Sequence, residues 1–464
     1  MATRLMGSPS SPADGVRHVI AGVSLGSLVL AAAIPLLFVH ERYHPSYVVE
    51  AASTSIELRL SDAAVVAVLV AALASALGRR ASGLGAARPL WITGTALLAW
   101  LAFEAVRPAS LADEQFESHA VSFAKLAEYA LLTVAVPLLV RRTRDLAVVL
   151  GSFVLWGALA SAVALVQFFG LDVFDAWNPG WRQPSFLGHH DLAALSVVGL
   201  SFAAAGIVAG RRRLPASWLF VVALAAGGLG LVLAGSGAAA LGLVVGAAAL
   251  WLAARARFAP SQRQLLALVA VVVVVGAGVA TVRDRDVGDF LRFLGLRSDT
   301  PAEGVESYSH RTVLAYIGVR IFRDDPIVGV GWLRSSRPEV FEPYVDDARA
   351  RFPDVVEEAF PAEGREWGVQ NLYVQMLADA GVIGLLLLLV VGGAGIVLAW
   401  RTARHAASVW AVGAGLATLC ALLTLAGEWA SLGIVAGIPL EAATSLLLGL
   451  AAAGAVVVEE ESAG

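Results

Sequence analysis

GVQNLYVQMLADAGVIGLLLLLVVGGAGIVLAW, residues 368–400, decides the fold. Its second half is an uncharged apolar run long enough to cross a hydrocarbon core of ~30 Å at about 1.5 Å per residue. Its first half is different: Gln370, Asn371, Gln375 and Asp379 recur at i, i+1, i+5 and i+9. Polar groups therefore enter the membrane along roughly one side, a side that lipid would not face.

Apolar runs of the same kind lie on both sides of this stretch. They fall near residues 18–38, 62–78, 90–106, 119–140, 146–169, 190–209, 215–234, 238–254, 265–282, 371–399, 407–427 and 439–458. The whole chain of 464 residues is 58% hydrophobic and only 15% charged, against roughly 45–50% apolar in an ordinary soluble domain. The expected fold is thus all-α, a polytopic membrane protein with about 12 transmembrane helices.

Arginines set its orientation. They cluster at Arg79, Arg80 and Arg88, at Arg141, Arg142 and Arg144, at Arg211 to Arg213, at Arg255, Arg257 and Arg263, and at Arg401 and Arg404, in every second connection. By the positive-inside rule those loops are cytoplasmic, so both termini are inside (N-in/C-in). The first run is read as an uncleaved helix, because bulky residues from Ile34 to Val39 stand where a signal-peptide cleavage site would need small ones. The organisation is helices 1–9 over residues 1–282, a large external (periplasmic) loop over 283–369, and helices 10–12 with a short cytoplasmic tail over 370–464.

Composition also excludes some chemistry. Cys420 is the only cysteine, so there is no intrachain disulfide and no thiolate metal site. The net charge of −4 says nothing about nucleic acid.

Three polar features interrupt the apolar background. The connection LDVFDAWNPGWRQPSFLGHHD, residues 171–191, carries Trp177, Trp181 and Phe186, which suit a membrane interface. That does not explain Arg182, His189, His190 and Asp191, although Asp191 could simply cap the helix that follows. Lys125, the only lysine, lies within the fourth run with Glu128 three residues on. It is either half of a local ion pair or a functional group facing water.

The third feature is the external loop. In SHRTVLAYIGVRIFRDDP, residues 309–326, Val313, Ile317, Arg320 and Ile321 share one side of a helix that starts at a Ser cap and stops before Pro326. A turn with Gly329 and Gly331 follows, then a second short helix over 338–352 and an acidic segment to 369. The loop is at least partly folded.

At these residues the chain resembles the O-antigen ligases and O-antigen polymerases of bacterial envelopes. The shared pattern is an arginine opening a loop helix (Arg311), a Pro-hydrophobic-x-Gly-x-Gly turn (Pro326, Gly329, Gly331), and an HN-x-Tyr-hydrophobic-Gln motif followed by an acid, Gly and a Gly-Leu run. Gln370, Asn371, Tyr373, Gln375, Asp379, Gly381 and Gly384 occupy that last part. RQPSFLGHHDLAAL from Arg182 is similar to the family's Arg-x-x-Gly-x-x-x-Asn-Pro-Asn segment, with His189, His190 and Asp191 in place of Asn-Pro-Asn.

The resemblance implies a glycosyltransferase in the bacterial cytoplasmic (inner) membrane whose active site faces the periplasm or cell exterior. It would move a glycan from an undecaprenyl-diphosphate-linked donor to a glycolipid or growing glycan acceptor, among membrane lipids, with no nucleic acid, no metal and no cofactor. Arg182, Arg311 and Lys125 are then the expected diphosphate ligands. Arg311, Gln370, Asn371, His310 and Glu366 are the expected catalytic set, and His189, His190, Tyr373 and Gln375 the expected substrate contacts.

Two departures matter. Gln370 occupies the family's histidine position and cannot take a proton near neutral pH, and Ser236, Gly237 and Ala238 stand where the family often has Ser-Arg-Gly. Either the protein sits on the polymerase side of the family, or it uses another base such as His310, Glu363, Glu366 or Asp379, or it is a catalytically silent glycolipid-binding or scaffold protein. A transporter is a further alternative, though no repeated halves are seen in the sequence.

Overall fold

The computed structural model describes residues 22–51, 54–78, 84–107, 116–210, 217–283, 307–365, 367–434 and 438–463. Among them the long helices are α1 (Leu25–Leu37), α2 (Leu60–Gly78), α3 (Arg88–Val106), α4 (Phe116–Ala130), α5 (Leu132–Leu139), α6 (Thr143–Phe168), α7 (His189–Ala209), α8 (Ser217–Ala234), α9 (Gly237–Phe258) and α10 (Gln262–Val282). The segment between α10 and α14 holds α11 (Ser307–Asp324), α12 (Pro338–Phe341) and α13 (Val345–Arg351); α14 (Leu372–His405), α15 (Val409–Glu428) and α16 (Pro439–Ala463) follow.

Each expected apolar run contains a helix. Ten spans among the described residues are long and apolar enough to cross a membrane, while α1 and α8 are shorter apolar helices. Burial sorts the spans: most residues of α7, α15 and α16 are buried, whereas only about a fifth of those in α3 and α10 are. Outward Leu and Val on α10 are at home in lipid, which is as apolar as they are.

Close packing through small residues sets the central geometry. A Cβ at Gly242 on α9 would lie 2.5 Å from the Thr424 carbonyl oxygen of α15, and one at Gly246 would lie 2.6 Å from that of Cys420. Only hydrogen fits there, so the two helices approach backbone to backbone. That approach brings Ser236, the N-cap of α9, to Glu428 at the end of α15. Cys420 is fully buried in this contact, as a small core residue.

The helix α14 is broken at Gly381, whose φ of 66° and ψ of −169° lie outside the helical region. Three carbonyls before the break lose their helical partners, and other elements supply replacements. Val330 and Gly331 donate their N–H groups to the carbonyls of Ala378 and Asp379, both at 2.9 Å, and Val382 N–H returns to Pro326 O at 2.9 Å. Trp100 Nε1 of α3 donates to Ala380 O at 3.0 Å. The Pro-Ile-Val-Gly-Val-Gly turn and the Asp-Ala-Gly of the membrane helix are thus one motif, zipped by backbone hydrogen bonds. Asp379 completes it: buried, it accepts the Ser335 N–H at 2.9 Å.

The segment between α10 and α14 has its own small core. Val313, Ile317 and Ile321 of α11 are buried with Phe341, Val345, Ala348, Phe360 and Ala378, which seats the segment on the N-terminal end of α14. The shared side expected for α11 holds, and Arg320 at its margin pairs with Asp347 at 2.8 Å.

Two expectations need correction, and part of a third lies outside the described residues. The second loop helix is not continuous over 338–352: a 3₁₀ turn over Glu342–Tyr344 separates α12 from α13, because Pro343 has no N–H to donate and crowds the preceding turn. An antiparallel hairpin, β1 (Ser46–Ala51) with β2 (Thr54–Arg59), stands between α1 and α2, pairing Tyr47 with Leu58. Residues 284–306 and Glu366 lie outside the described residues.

Candidate active site

Two buried glutamines hold the irregular connection between α6 and α7 in place. Gln167 Oε1 accepts the Ser185 N–H at 2.8 Å while its Nε2 donates to Val173 O at 2.7 Å. Gln183 takes the Trp177 N–H at 2.9 Å and donates to Asn178 O at 3.0 Å, and its own backbone N–H reaches Leu233 O at 2.7 Å. Between these ties sits Arg182, its guanidinium 4.7 Å from the ring centre of Trp177 and 5.7 Å from that of Trp181. Aromatic faces attract a cation without neutralising it, so a guanidinium held on them keeps its charge.

The same connection leads into His189 and His190. The His189 ring lies 5.1 Å from Trp177 and 4.1 Å from His190. Three arginines from three different segments, Arg182, Arg283 and Arg311, act electrostatically on it.

Arg283 ends α10, is almost fully buried, and donates from Nη1 to Gly235 O at 3.1 Å. Gly235, at φ 64°, forms the turn before Ser236, and a Cβ there would meet the Arg182 and Arg283 side chains at 3.0 and 3.3 Å. Arg283 therefore reaches in space the turn where the family often carries its own arginine. The sequence marks it only as the start of the external loop.

Arg311 projects from α11 and donates from Nε to Gln370 Oε1 at 3.0 Å. Beyond Gln370 the motif residues tie α14 to the connection after α15. Asn371 caps α14 by accepting the Tyr373 and Val374 N–H groups at 3.0 and 3.1 Å, and donates to Ala430 O at 2.9 Å. The Tyr373 hydroxyl donates to Ala426 O at 2.6 Å, and Gln375 Oε1 accepts the Ile434 N–H at 2.6 Å. These contacts fix the residues on either side of Glu428. Nothing in the sequence singles that acid out.

Glu428 is fully buried. One of its oxygens lies 2.6 Å from His190 Nδ1 and the other accepts the Ser236 hydroxyl. Asp191, the neighbour of His190, accepts the Leu440 N–H at 2.9 Å and so serves α16.

The other expected site residues stand apart from this group. His310 turns into the segment between α10 and α14, with Nδ1 2.7 Å from Ala359 O and its ring edge-on to Trp367. Lys125 pairs with Asp62 of α2 and lies 4.0 Å from Glu128. An apolar cavity of about 400 Å³ is lined by Leu97, Leu101, Leu126, Leu448 and, next in the chain to Asn371 and Glu428, Leu372 and Trp429, among others.

Residues 220–389 match the family model described as O-antigen ligase. This stretch is similar to the O-antigen ligase family. It holds Ser236, Arg283, Arg311, the 326–331 turn, Gln370 and the Gly381 break. Arg182, His189, His190 and Glu428 lie outside the matched residues. No match is found among curated proteins.

Proposed function

We propose that the protein is a membrane glycosyltransferase that moves a glycan from undecaprenyl diphosphate to a hydroxyl of a glycolipid or growing glycan, at the outer face of the cytoplasmic membrane. The observation that carries this reading is the meeting of Arg182 and the buried Arg283 at Gly235, with Arg311 held by Gln370, in a chain that resembles the O-antigen ligases over residues 220–389. A diphosphate leaving group concentrates negative charge, and guanidinium forks meet phosphate oxygens two at a time with charge-assisted hydrogen bonds. Donors fixed before the reaction lower the barrier most, because no reorganisation is needed as charge develops. Arg182 on its tryptophan shelf and Arg283 on Gly235 O are fixed in this way.

The apolar cavity between α3, α4, α14 and α16 suits the head-proximal isoprene units of the donor. The positive-inside rule supports the outward orientation, because the arginine-rich connections at the opposite ends of the helices suit the cytoplasmic side. Arg311 would act on the donor, with Gln370 holding its guanidinium in place.

The test is donor affinity and turnover of the purified protein in lipid nanodiscs. Arg311→Lys keeps the charge but not the fork, and a lost charge-assisted hydrogen bond of about 1.5–3 kcal/mol should weaken undecaprenyl diphosphate binding ~10- to 100-fold. If Arg311→Ala left both donor binding and transfer at wild-type levels, the reading would be wrong.

A further inference from the structure

Gln370 leaves the site without the base that the family's motif histidine would supply, and the structure holds a different one. Glu428 and His190 are 238 residues apart in the chain, yet α9 and α15 approach so closely through Gly242 and Gly246 that Glu428 is buried between them. Its two oxygens are both occupied, one at His190 Nδ1 (2.6 Å) and one at the Ser236 hydroxyl. Ser236 is itself fixed, because its oxygen accepts the Ala239 N–H as the cap of α9, which leaves the hydroxyl proton for Glu428.

A buried carboxylate accepting at Nδ1 sets the imidazole tautomer: Nδ1 carries the proton, and in the neutral ring Nε2 presents a lone pair. Among the described residues Nε2 of His190 has no hydrogen-bond partner, and the side chain is 15% exposed. An orienting acid, an imidazole and an open nitrogen are the parts of a general base.

We infer that His190 is the general base that deprotonates the acceptor hydroxyl and that Glu428 is its positioning residue; this rests on the transferase reading above. In the step, the acceptor O–H proton passes to His190 Nε2 as the hydroxyl oxygen forms its bond to the anomeric carbon. The bond from that carbon to the diphosphate oxygen breaks, and its electron pair leaves on undecaprenyl diphosphate, next to the three arginines. The imidazolium is stabilised by Glu428 until it returns its proton to water. His310 lacks this arrangement, since its Nδ1 is held by a backbone carbonyl in the external segment. Among the described residues His189 has no carboxylate partner.

The experiment uses the full chain in nanodiscs. Donor and acceptor come from a lipid extract of a host strain lacking this gene, and binding of undecaprenyl diphosphate is measured separately. His190→Ala should lower kcat ~100-fold or more while leaving undecaprenyl diphosphate affinity within about twofold, and added imidazole should restore part of the rate. His190→Asn keeps a donor for Glu428 and so protects the fold; it should be equally slow. Glu428→Gln should lower kcat without raising the donor KM, and Glu428→Asp should recover part of the loss.

An unchanged kcat in His190→Ala, or a loss matched by lost donor affinity, overturns the assignment, as does a comparable kcat loss in His310→Ala. A wild-type protein that binds undecaprenyl diphosphate and transfers glycan while His190→Ala does the same sinks this inference alone. Failure of the wild type to bind undecaprenyl diphosphate sinks the transferase reading and this inference with it.

Discussion

Gly381→Ala is the sharpest perturbation of the architecture beneath the arginines. With φ at 66° and ψ at −169°, the backbone lies in a region open essentially to glycine, and forcing another residue into it costs about 1–3 kcal/mol. The added methyl would also overlap the Ile327 carbonyl and the Val328 nitrogen, which are backbone atoms that cannot rotate aside. The turn must therefore move. Moving it breaks the three backbone hydrogen bonds that join residues 326–331 to α14, each worth about 1 kcal/mol. The combined loss is on the order of 5 kcal/mol, comparable with the whole stability of many domains. The readout is thermal unfolding of the purified protein in detergent, followed by intrinsic tryptophan fluorescence, because Trp332 in the turn is fully buried. A marked drop in apparent Tm is expected, together with weaker undecaprenyl diphosphate binding, since α11 and Arg311 ride on this junction. A Gly381→Ala protein that melts like the wild type would refute the account of the break.

Two other outcomes follow from ion pairs and burial. Lys125→Met leaves the Asp62 carboxylate, only 11% exposed in its side chain, without its cation; about 3 kcal/mol of stability should be lost, with donor affinity unchanged, and Asp62→Asn in the same chain should return part of it. A fall in donor affinity without a fall in stability would instead make Lys125 a donor ligand. Burial lowers the pKa of both His40 and His44, so below about pH 6.5 the unfolded chain binds more protons than the folded one and stability falls with falling pH. Melting curves between about pH 7 and 5 should show a shallower decline in His40→Gln/His44→Gln; an equal decline would place the titrating groups elsewhere.

What could be read from the sequence follows from how far each signal reaches along the chain. A membrane helix announces itself locally, in a run of apolar residues, and every run expected in this chain contains a helix. The amphipathic side of α11 was legible for the same reason, since Val313, Ile317 and Ile321 recur at helical spacing and are buried together. The hairpin at residues 46–59 was not legible, because its segment is short and mixes Ser and Glu with Tyr and Val. The break in α14 was hidden differently. Glycine in a membrane helix ordinarily signals close packing, and nothing in residues 376–390 tells Gly381 from Gly384. Only the approach of the 326–331 turn distinguishes them.

Of the candidate site, the sequence draws attention to the arginines and not to the acid. Arg182 and Arg311 stand out as isolated charges in polar stretches with a family pattern around them. Glu428 is a single acid at the end of an apolar helix, and the local reading of such a residue is an interfacial one beside Trp429. Its importance comes from Gly242 and Gly246, which let α9 and α15 touch, and from Asn371, Tyr373 and Gln375, which fix the backbone around it. The same reasoning bears on the two departures from the family pattern. The turn at residues 235–238 lacks its arginine in sequence but receives Arg283 from the end of α10. Position 370 lacks a histidine, but His190 stands beside a buried carboxylate in the group next to it. If both substitutions are compensations, they should be coupled: Gln370→His ought to rescue His190→Asn more than it improves the wild type. Rescue equal in the two backgrounds would show that the two positions act independently.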